Sequence, residues 1–285
     1  MQNKSVLMIG MPGSGKTTFL VSLCRLLLWG EQETVWKLDQ TEMPEGYENI
    51  KDLMKRLNSY QILERTRNPI PYHLQFLLFD NQQREIQFVI PDLSGEFFRD
   101  LVYDRRIKRE ILKQVEEADT LLFFINVATM VEEVRISIKD KSAIKRLKED
   151  HGETGIKAPE EIKQLIKKPN NQSAVVELLQ CISYLVKHPL KIKFVVSAWD
   201  IVAKECKEQV VNPEGYIKEK LPLLYQYISS FESSRMSYEY WGVSAQGGDF
   251  ENEDEVLELK SRNEDDLAYL VNRDMIMSKD LTKLL

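Results

Sequence analysis

Residues 10–18 of the chain read Gly-Met-Pro-Gly-Ser-Gly-Lys-Thr-Thr, between the apolar run 6–9 and a second apolar stretch that starts at Phe19. The order is that of a strand, a glycine-rich turn and a helix. Glycines let the turn curl until N–H groups point inward at phosphate oxygens, and the helix N-terminus adds positive potential. Lys16 is placed to reach the β- and γ-phosphates, and the Thr17 hydroxyl to coordinate Mg²⁺. The stretch predicts a nucleotide-binding loop.

The composition is that of a large folded domain. The chain has 285 residues, of which 43% are hydrophobic, enough for a full core without disulfide bonds. Its formal net charge of -6 argues against a broad nucleic-acid-binding face, because phosphate backbones are held by an excess of Lys and Arg. We therefore expect no nucleic-acid partner.

The sequence also predicts a cytoplasmic location. The chain has three cysteines, Cys24, Cys181 and Cys206, which lie far apart in the sequence. Their spacing and odd number do not suggest a disulfide framework, so we expect a reducing compartment. No apolar run approaches the ~20 residues that cross a bilayer, so we expect no membrane span. The N-terminus enters the first strand without a secretion signal.

Helices and strands alternate after the loop. Helical spacing of apolar residues predicts a helix over 17–29 that ends at Gly30. Two apolar runs, 72–79 and 86–90, predict an antiparallel hairpin. The continuous apolar run 121–125 predicts a strand that is covered on both faces.

The remaining patterns complete an α/β succession. They predict helices near 50–57, over 97–117, through 175–185 and at 216–231, strands over 193–200 and 236–243, and a short helix over 266–285. Residues 132–171 exceed one crossover connection and predict an insertion, whose charges indicate a solvated helical face or, alternatively, a partner-docking element. Residues 249–285 are expected to form an acidic, helical C-terminal extension.

A second motif, Asp92-Leu93-Ser94-Gly95-Glu96, follows the predicted hairpin. An apolar strand that ends in Asp is where a Mg²⁺-linked carboxylate lies in a phosphate-loop fold. The glycine three residues later can present its N–H to the γ-phosphate. The alternative is an ordinary exit from strand to loop, where Asp and Gly are common.

The motifs stand in an order that resembles the Ras-like (translation-factor-class) P-loop GTPases over nearly the whole chain. They are the loop at 10–17, Asp92-x-x-Gly95, Ser197-Ala198-Trp199-Asp200 and Ser244-Ala245-Gln246. Within that class the chain is most similar to the bacterial double-GTPase family, on three features: the Asp-Leu-Ser-Gly-Glu form, the insertion and the closing Asp280-Leu281-Thr282. The resemblance implies one GTPase domain over 1–285, with the three-layer P-loop NTPase fold and a mainly parallel sheet that includes one antiparallel hairpin strand.

The resemblance also implies the ligands and their contacts. GTP or GDP would bind with Mg²⁺, which Thr17 and, through water, Asp92 would hold. Asp200 would accept hydrogen bonds from the guanine ring N–H and amino group, beside Ser244, and the N–H of Ala245 would face guanine O6. The residues of the implied phosphate cradle are Gly13, Ser14, Gly15, Lys16, Thr17 and Thr18.

The base-reading motif departs from the family pattern. The chain has Ser197 and Ala198 where the family usually has Asn or Thr followed by Lys, so the Lys stem that covers the base is missing. Trp199 is then either a stacking face for the base or a core residue.

The catalytic positions depart from it as well. Glu96 stands where many relatives carry a Gln that orients the attacking water, and a carboxylate near the γ-phosphate is repelled, so we expect slow turnover. Lys16 and Gly95 would assist by stabilising charge. By its spacing before the second predicted strand, Thr66 is the first candidate for the switch threonine, and Thr41 is the second candidate. In the same loop, Arg65 or Arg67 is either an arginine finger or a solvated side chain.

These observations predict a GTP-binding switch that hydrolyses GTP to GDP and phosphate. A protein partner would recognise the conformation of residues 31–71 and 93–105, which would depend on the bound nucleotide. A nucleotide-dependent dimer remains an open alternative. One alternative is a nucleotide-dependent binding module with little or no hydrolysis. Another is a P-loop kinase whose lid arginines would be Arg99, Arg105, Arg106 and Arg109.

Overall fold

The computed structural model of the protein describes residues 5–38, 46–63, 74–82, 85–90, 101–102, 105–127, 171–186, 189–205, 211–231, 236–263 and 266–285. Its strands are β1 (Val6–Gly10), β2 (Trp36–Leu38), β3 (Leu74–Asp80), β4 (Glu85–Ile90), β5 (Thr120–Asn126), β6 (Leu190–Ser197), β7 (Met236–Ser244), β8 (Tyr269–Asn272) and β9 (Met277–Ser278). Its helices are α1 (Lys16–Trp29), α2 (Tyr47–Asn58), α3 (Arg109–Glu117), α4 (Asn171–Leu185), α5 (Trp199–Glu205), α6 (Pro213–Lys220), α7 (Pro222–Ser229), α8 (Glu253–Lys260) and a 3-10 helix, Leu281–Leu284.

The larger sheet has six strands in the order β1-β5-β6-β7-β8-β9. The first four run parallel, whereas β8 pairs antiparallel with β7 and β9 with β8. A smaller antiparallel sheet, β2-β3-β4, meets the larger one where β4 contacts β1. The predicted α/β fold, a mainly parallel sheet with an antiparallel hairpin, is confirmed.

Helices cover both faces of the larger sheet, which explains its continuous apolar strands. Alternate residues of β1 enter different cores: Leu7 and Ile9 pack with α3 to α7, whereas Val6 and Met8 pack with α1, α2 and the 3-10 helix. No helix within the described ranges is long and apolar enough to cross a membrane.

The parallel strands end at one edge of the sheet. Their last residues are Gly10, Asn126, Ser197 and Ser244. Ligands of open parallel sheets bind outside the carboxyl ends of the strands. This edge is therefore where the site is expected.

The strand predicted over 193–200 lies three residues earlier than expected, because β6 begins at Leu190 and ends at Ser197. Ala198 has φ 56°, in the left-handed region that an extended strand cannot continue through. Asp200 consequently lies in the first turn of α5 instead of ending the strand.

Two predicted helices also differ from the structure. The helix expected at 216–231 is divided into α6 and α7, because Pro222 has no N–H to donate and begins a new helix. In the charged segment 97–117, Leu101 and Val102 are helical, Arg105 has φ 54°, and α3 begins at Arg109. Residues 97–100 and 103–104 lie outside the described ranges, as does the predicted insertion 132–171 up to Asn171, where α4 begins.

The helix predicted over 266–285 is wrong for most of its length. The Oδ1 atom of Asn272 accepts the N–H groups of Asp274 and Ile276 at 3.0 and 2.8 Å, which closes a hairpin turn. This local bond competes with helix formation, and β8 then gains ladder bonds to β7. In the expected acidic, helical extension over 249–285, α8 is helical, but β8 and β9 belong to the sheet.

The C-terminal turn fastens β2 to the body of the protein. The Asp280 carboxylate accepts the N–H of Val35 at 2.8 Å and the N–H of Thr282 at 2.9 Å. The Thr282 hydroxyl accepts the N–H of Trp36 at 3.2 Å. From β6, the buried ammonium of Lys193 donates to the carbonyls of the same turn. The closing Asp-Leu-Thr sequence thus has a structural role.

We predict that Asp280→Ala destabilises the fold by about 1–3 kcal/mol, because the N–H groups that it binds lose a buried acceptor. Chemical denaturation measures the change. Asp274→Ala, the same substitution at an exposed position of the β8–β9 turn, is the control and should have little effect. Equal losses in the two variants would contradict the role of the turn.

Candidate nucleotide-binding site

The loop between β1 and α1 is held in a curled conformation that needs glycine. Gly13 and Gly15 have φ 77° and 85°, which glycine adopts without strain. A Cβ atom on Gly15 would lie 2.9 Å from the Ser197 hydroxyl, and one on Gly10 would lie 2.5 Å from the carbonyl oxygen of Phe124. The loop therefore packs directly against the ends of β5 and β6.

The N-terminus of α1 follows this loop, and no acidic side chain in the described ranges caps it. Gly15 is its N-cap, no side chain caps the helix, and its first turn contains no acidic residue. Thr17 and Thr18 are partly buried in that turn. A helix end of this kind favours negative charge, so it suits a phosphate group.

Lys16 folds back over the loop. Its ammonium donates to the carbonyls of Gly10 and Met11 at 2.7 and 3.1 Å and to the Ser14 hydroxyl at 3.0 Å. Burial lowers the pKa of Lys16 to about 7, because a low-dielectric environment disfavours its charged form. The side chain is therefore poised to gain from an incoming anion.

Two side chains at the strand ends fix the peptide groups of the loop. Asn126 donates its amide to the carbonyl of Gly13 at 2.8 Å, and Ser197 donates its hydroxyl to the carbonyl of Ser14 at 2.9 Å. In a trans peptide the carbonyl and the following N–H point in opposite directions. The N–H of Gly15 thus points away from Ser197 and can donate to another group.

The role of Asn126 was missed in the sequence analysis. The only signal is a polar residue at the end of the apolar strand β5, which the strand order places next to β1. Ser197 was identified only as a departure from the family motif, although its hydroxyl also reaches the Ile125 carbonyl at 3.3 Å.

A buried carboxylate lies on the other side of the loop. Asp200 is 8% exposed, and its Oδ1 atom accepts the Ser244 hydroxyl at 2.8 Å. The Ser244 oxygen in turn accepts the N–H of Gly247 at 3.1 Å. From α1, Ser22 donates to the carbonyl of Ala245 at 2.5 Å, which joins this segment to the phosphate loop helix. The predicted base-reading residues are thereby brought together.

Trp199 belongs to the core. Its side chain is 2% exposed, and a Cβ atom on Gly242 would lie 2.4 Å from its ring. The ring also meets Tyr216 edge to face at 6.1 Å between centroids. The alternative in which Trp199 stacks on a base is therefore wrong.

Several predicted residues lie outside the described ranges. They are Thr41, Arg65, Thr66, Arg67, Asp92, Gly95, Glu96 and Arg99. Of the arginines proposed for a kinase lid, Arg105 donates to the Cys181 sulfur at 2.7 Å and pairs with Glu177 at 3.4 Å. Its engagement with α4 argues against a lid role.

A polar cleft of about 420 Å³ lies elsewhere, beside β2 and the C-terminal turn. It is lined by Gln32, Glu33, Thr34, Val35, Lys37, Asn81, Ser278, Lys279, Asp280 and Lys283. None of these residues belongs to the loop at 10–18 or to the predicted base-reading residues Asp200, Ser244 and Ala245. The buried carboxylate at its edge, Asp280, is already bonded to backbone N–H groups.

The model of the Double-GTPase 1 family matches residues 7–285. The chain belongs to this family. Comparison with curated protein sequences finds no match.

Among solved structures, the chain is similar to the GTPase-like domain of Saccharomyces cerevisiae Ski7, bound to GDP and inorganic phosphate. The TM-score is 0.43 and the identity 14%, over 86% of this chain and 43% of that one. It is also similar to the signal recognition particle receptor SRb-GTP/SRX complex from Chaetomium thermophilum. There the TM-score is 0.38 and the identity 12%, over 87% and 94% of the two chains. The chain thus spans less than half of the Ski7 chain.

Membership of Double-GTPase 1 confirms the resemblance to P-loop GTPases that the motifs indicated. It supports guanine nucleotides as the ligands of the site. The loop at 10–18 lies within the residues that the family model matches.

We predict that Asn126→Ala weakens GDP binding by about tenfold, since one hydrogen bond of roughly 1–1.5 kcal/mol would no longer hold the loop. Fluorescence titration with a labelled nucleotide measures the affinity. Asn212→Ala is the control, because it removes an Asn side chain that caps α6 far from the loop along the chain. If Asn126→Ala bound GDP as tightly as wild type, the predicted role of Asn126 in holding the loop would be wrong.

We also predict that GDP binding takes up a proton at pH 8. Lys16, with a pKa of about 7, is mostly neutral there, and bound phosphates raise its pKa and recharge it. Affinity should fall by up to about tenfold per pH unit above pH 7 and stay level below it. Calorimetry in two buffers measures the uptake. Lys16→Arg stays charged and should show none; equal uptake in both proteins would contradict the prediction.

Proposed function

We propose that the protein is a GTP-dependent switch that binds GTP with Mg²⁺ and hydrolyses it to GDP and phosphate. The observation that supports this most directly is the common edge of the sheet. The parallel strands end at Gly10, Asn126, Ser197 and Ser244. The curled loop follows Gly10 on one side of this edge, and Ser244, which donates to the buried Asp200 carboxylate, lies on the other side. Those are the parts needed to hold a triphosphate and to read a base.

The phosphate half of the site would work by charge. The Lys16 ammonium, the N–H groups of the loop and the N-terminus of α1 would stabilise the negative charge of the γ-phosphate as water attacks. No covalent intermediate is needed. Phosphoryl transfer depends mainly on positioning and electrostatic stabilisation, which a fixed backbone supplies.

The residues fit a magnesium ion. Thr17 offers a hydroxyl oxygen in the first turn of α1, where it is only partly buried. Mg²⁺ prefers oxygen ligands and keeps several waters, so the Thr17 hydroxyl and, through water, the Asp92 carboxylate would hold it. When bound, the ion would neutralise charge on the β- and γ-phosphates.

The base half would select guanine. A carboxylate at Asp200 can accept both the ring N–H and the amino group of guanine. Adenine has an acceptor in place of that ring N–H, so it would leave a buried charge without partners. The bond from Ser244 would keep the carboxylate in its orientation.

The remaining assignments follow the family pattern. Gly95 would contact the γ-phosphate, Thr66 would act as the switch threonine, and Glu96, in place of the usual Gln, would give slow turnover. Residues 31–71 and 93–105 would change with the nucleotide and be read by a protein partner in the cytoplasm. Residues 1–285 would form one domain with an insertion at 132–171.

Hydrolysis is tested by phosphate release under single-turnover conditions. Wild type should release phosphate slowly from GTP, and Lys16→Ala should release none beyond the uncatalysed rate, since it loses the charge at the γ-phosphate. If wild type retains GTP and releases no more phosphate than the variant, the enzyme assignment fails and a binding module remains. Phosphate transfer that requires an added acceptor molecule would favour a kinase.

Base selection is tested with Asp200→Asn. We expect wild type to prefer GDP over ADP, and the variant to lose that preference, because an amide cannot accept both guanine donors in the same way. Competition titration with the two nucleotides measures the preference. An unchanged preference would remove Asp200 from the base site.

A further inference from the structure

We propose that Glu255 is a positioning residue for the base: it joins residues 245–249, the base segment that follows β7, to the helix that carries Asp200. This role rests on the proposed function, because it needs Asp200 and the N–H of Ala245 to read guanine. Glu255 lies in the first turn of α8, outside the motifs that carry the family resemblance.

The Glu255 carboxylate contacts two parts of the site at once. Its Oε2 atom accepts the N–H of Asp249 at 2.9 Å and pairs with the ammonium of Lys204. Asp249 ends the base segment, whereas Lys204 lies on α5. Lys204 follows Asp200 by four residues, and residues at this spacing lie on the same face of a helix. One carboxylate oxygen thus connects the helix of Asp200 to the segment of Ala245.

The base segment also packs closely against α8. A Cβ atom on Gly248 would lie 3.0 Å from the Glu255 carboxylate, and one on Gly247 would lie 3.2 Å from the side chain of Leu259. Leu259 is buried, and it lies one helical turn after Glu255 on α8. These distances leave little room for side chains at the two glycines, so the segment rests directly on this helix.

The beginning of the base segment is held from the other side. The carbonyl of Ala245 accepts the Ser22 hydroxyl of α1 at 2.5 Å, and the N–H of Gly247 donates to Ser244 at 3.1 Å. Helix α1 therefore holds the first residue of the segment, and Glu255 holds the last. Both ends must be held for the Ala245 N–H to keep a constant distance from Asp200.

The charge of Glu255 strengthens this connection. The N–H of Asp249 and the ammonium of Lys204 lower the pKa of Glu255, because both interactions favour its charged form. The carboxylate is therefore ionised at neutral pH. Hydrogen bonds to an ionised acceptor are shorter and stronger than those between neutral groups.

Loss of this carboxylate would affect one contact of the base before the others. The end of the base segment would be released from α5, and the N–H of Ala245 would lose its fixed distance from Asp200. The bond to guanine O6 would weaken first, since the ring N–H and the amino group contact Asp200 itself. Glu255 would thus determine how well the site recognises O6.

The test compares GDP with 6-thio-GDP, which keeps the ring N–H and the amino group of guanine but has sulfur, a weaker acceptor, in place of O6. In Glu255→Ala we expect GDP affinity to fall about five- to tenfold and 6-thio-GDP affinity to fall less. The wild-type preference for GDP should therefore shrink. Glu253→Ala, the same change at an exposed position of the same helical turn, should leave both affinities unchanged.

A double-mutant cycle with Lys204→Ala tests the connection to α5. Lys204→Ala should also reduce the preference for GDP over 6-thio-GDP, and it should have less effect when Glu255 is already absent. An unchanged preference in Glu255→Ala, an equal loss for both nucleotides, or fully additive effects in the cycle would overturn the inference while the proposed function stands. So would a wild type that binds GDP and 6-thio-GDP equally. A wild type that does not prefer GDP over ADP would overturn both.

Discussion

The ammonium of Lys16 lies within the loop between β1 and α1 and holds it by hydrogen bonds. It donates to two carbonyl groups and one hydroxyl of the loop, in which Gly13 and Gly15 take left-handed conformations. Burying a positive charge is costly, and the dipoles of these groups offset only part of the cost, as the lowered pKa indicates. A bound phosphate would supply the missing negative charge. The unbound loop thus holds free energy that ligand binding would release.

The sheet, more than the loop, sets the geometry of the site. Asn126 and Ser197 end neighbouring strands and each holds one loop carbonyl, while Ser22 connects α1 to the segment after β7. Spacing between the strands therefore fixes the distance between the loop and the segment after β7. Ser197, which stands where the family pattern has Asn or Thr, holds the carbonyl of Ser14. The unusual motif is therefore compatible with a curled loop.

The sequence predicted the loop, the hairpin and strand β5 because each depends on contiguous residues with a regular hydrophobic pattern. The tethers could not be predicted in this way, since their partners lie far apart along the chain. Residues 269–272 pair with the distant strand β7, and residues 277–278 pair with β8, so strand pairing overrides their local helical pattern. The burial of Trp199 likewise depends on the gap that Gly242 leaves in β7, a strand away.

The long separation of the tethers has a consequence for folding. Asn126 and Ser197 lie 113 and 183 residues after the loop atoms that they bind. Such non-local contacts form late and slowly, since the intervening chain must first lose its freedom. A nascent chain that has emerged only as far as α1 would hold the whole glycine motif without a competent cradle. Acquisition of nucleotide would then mark the completion of the central sheet during biosynthesis.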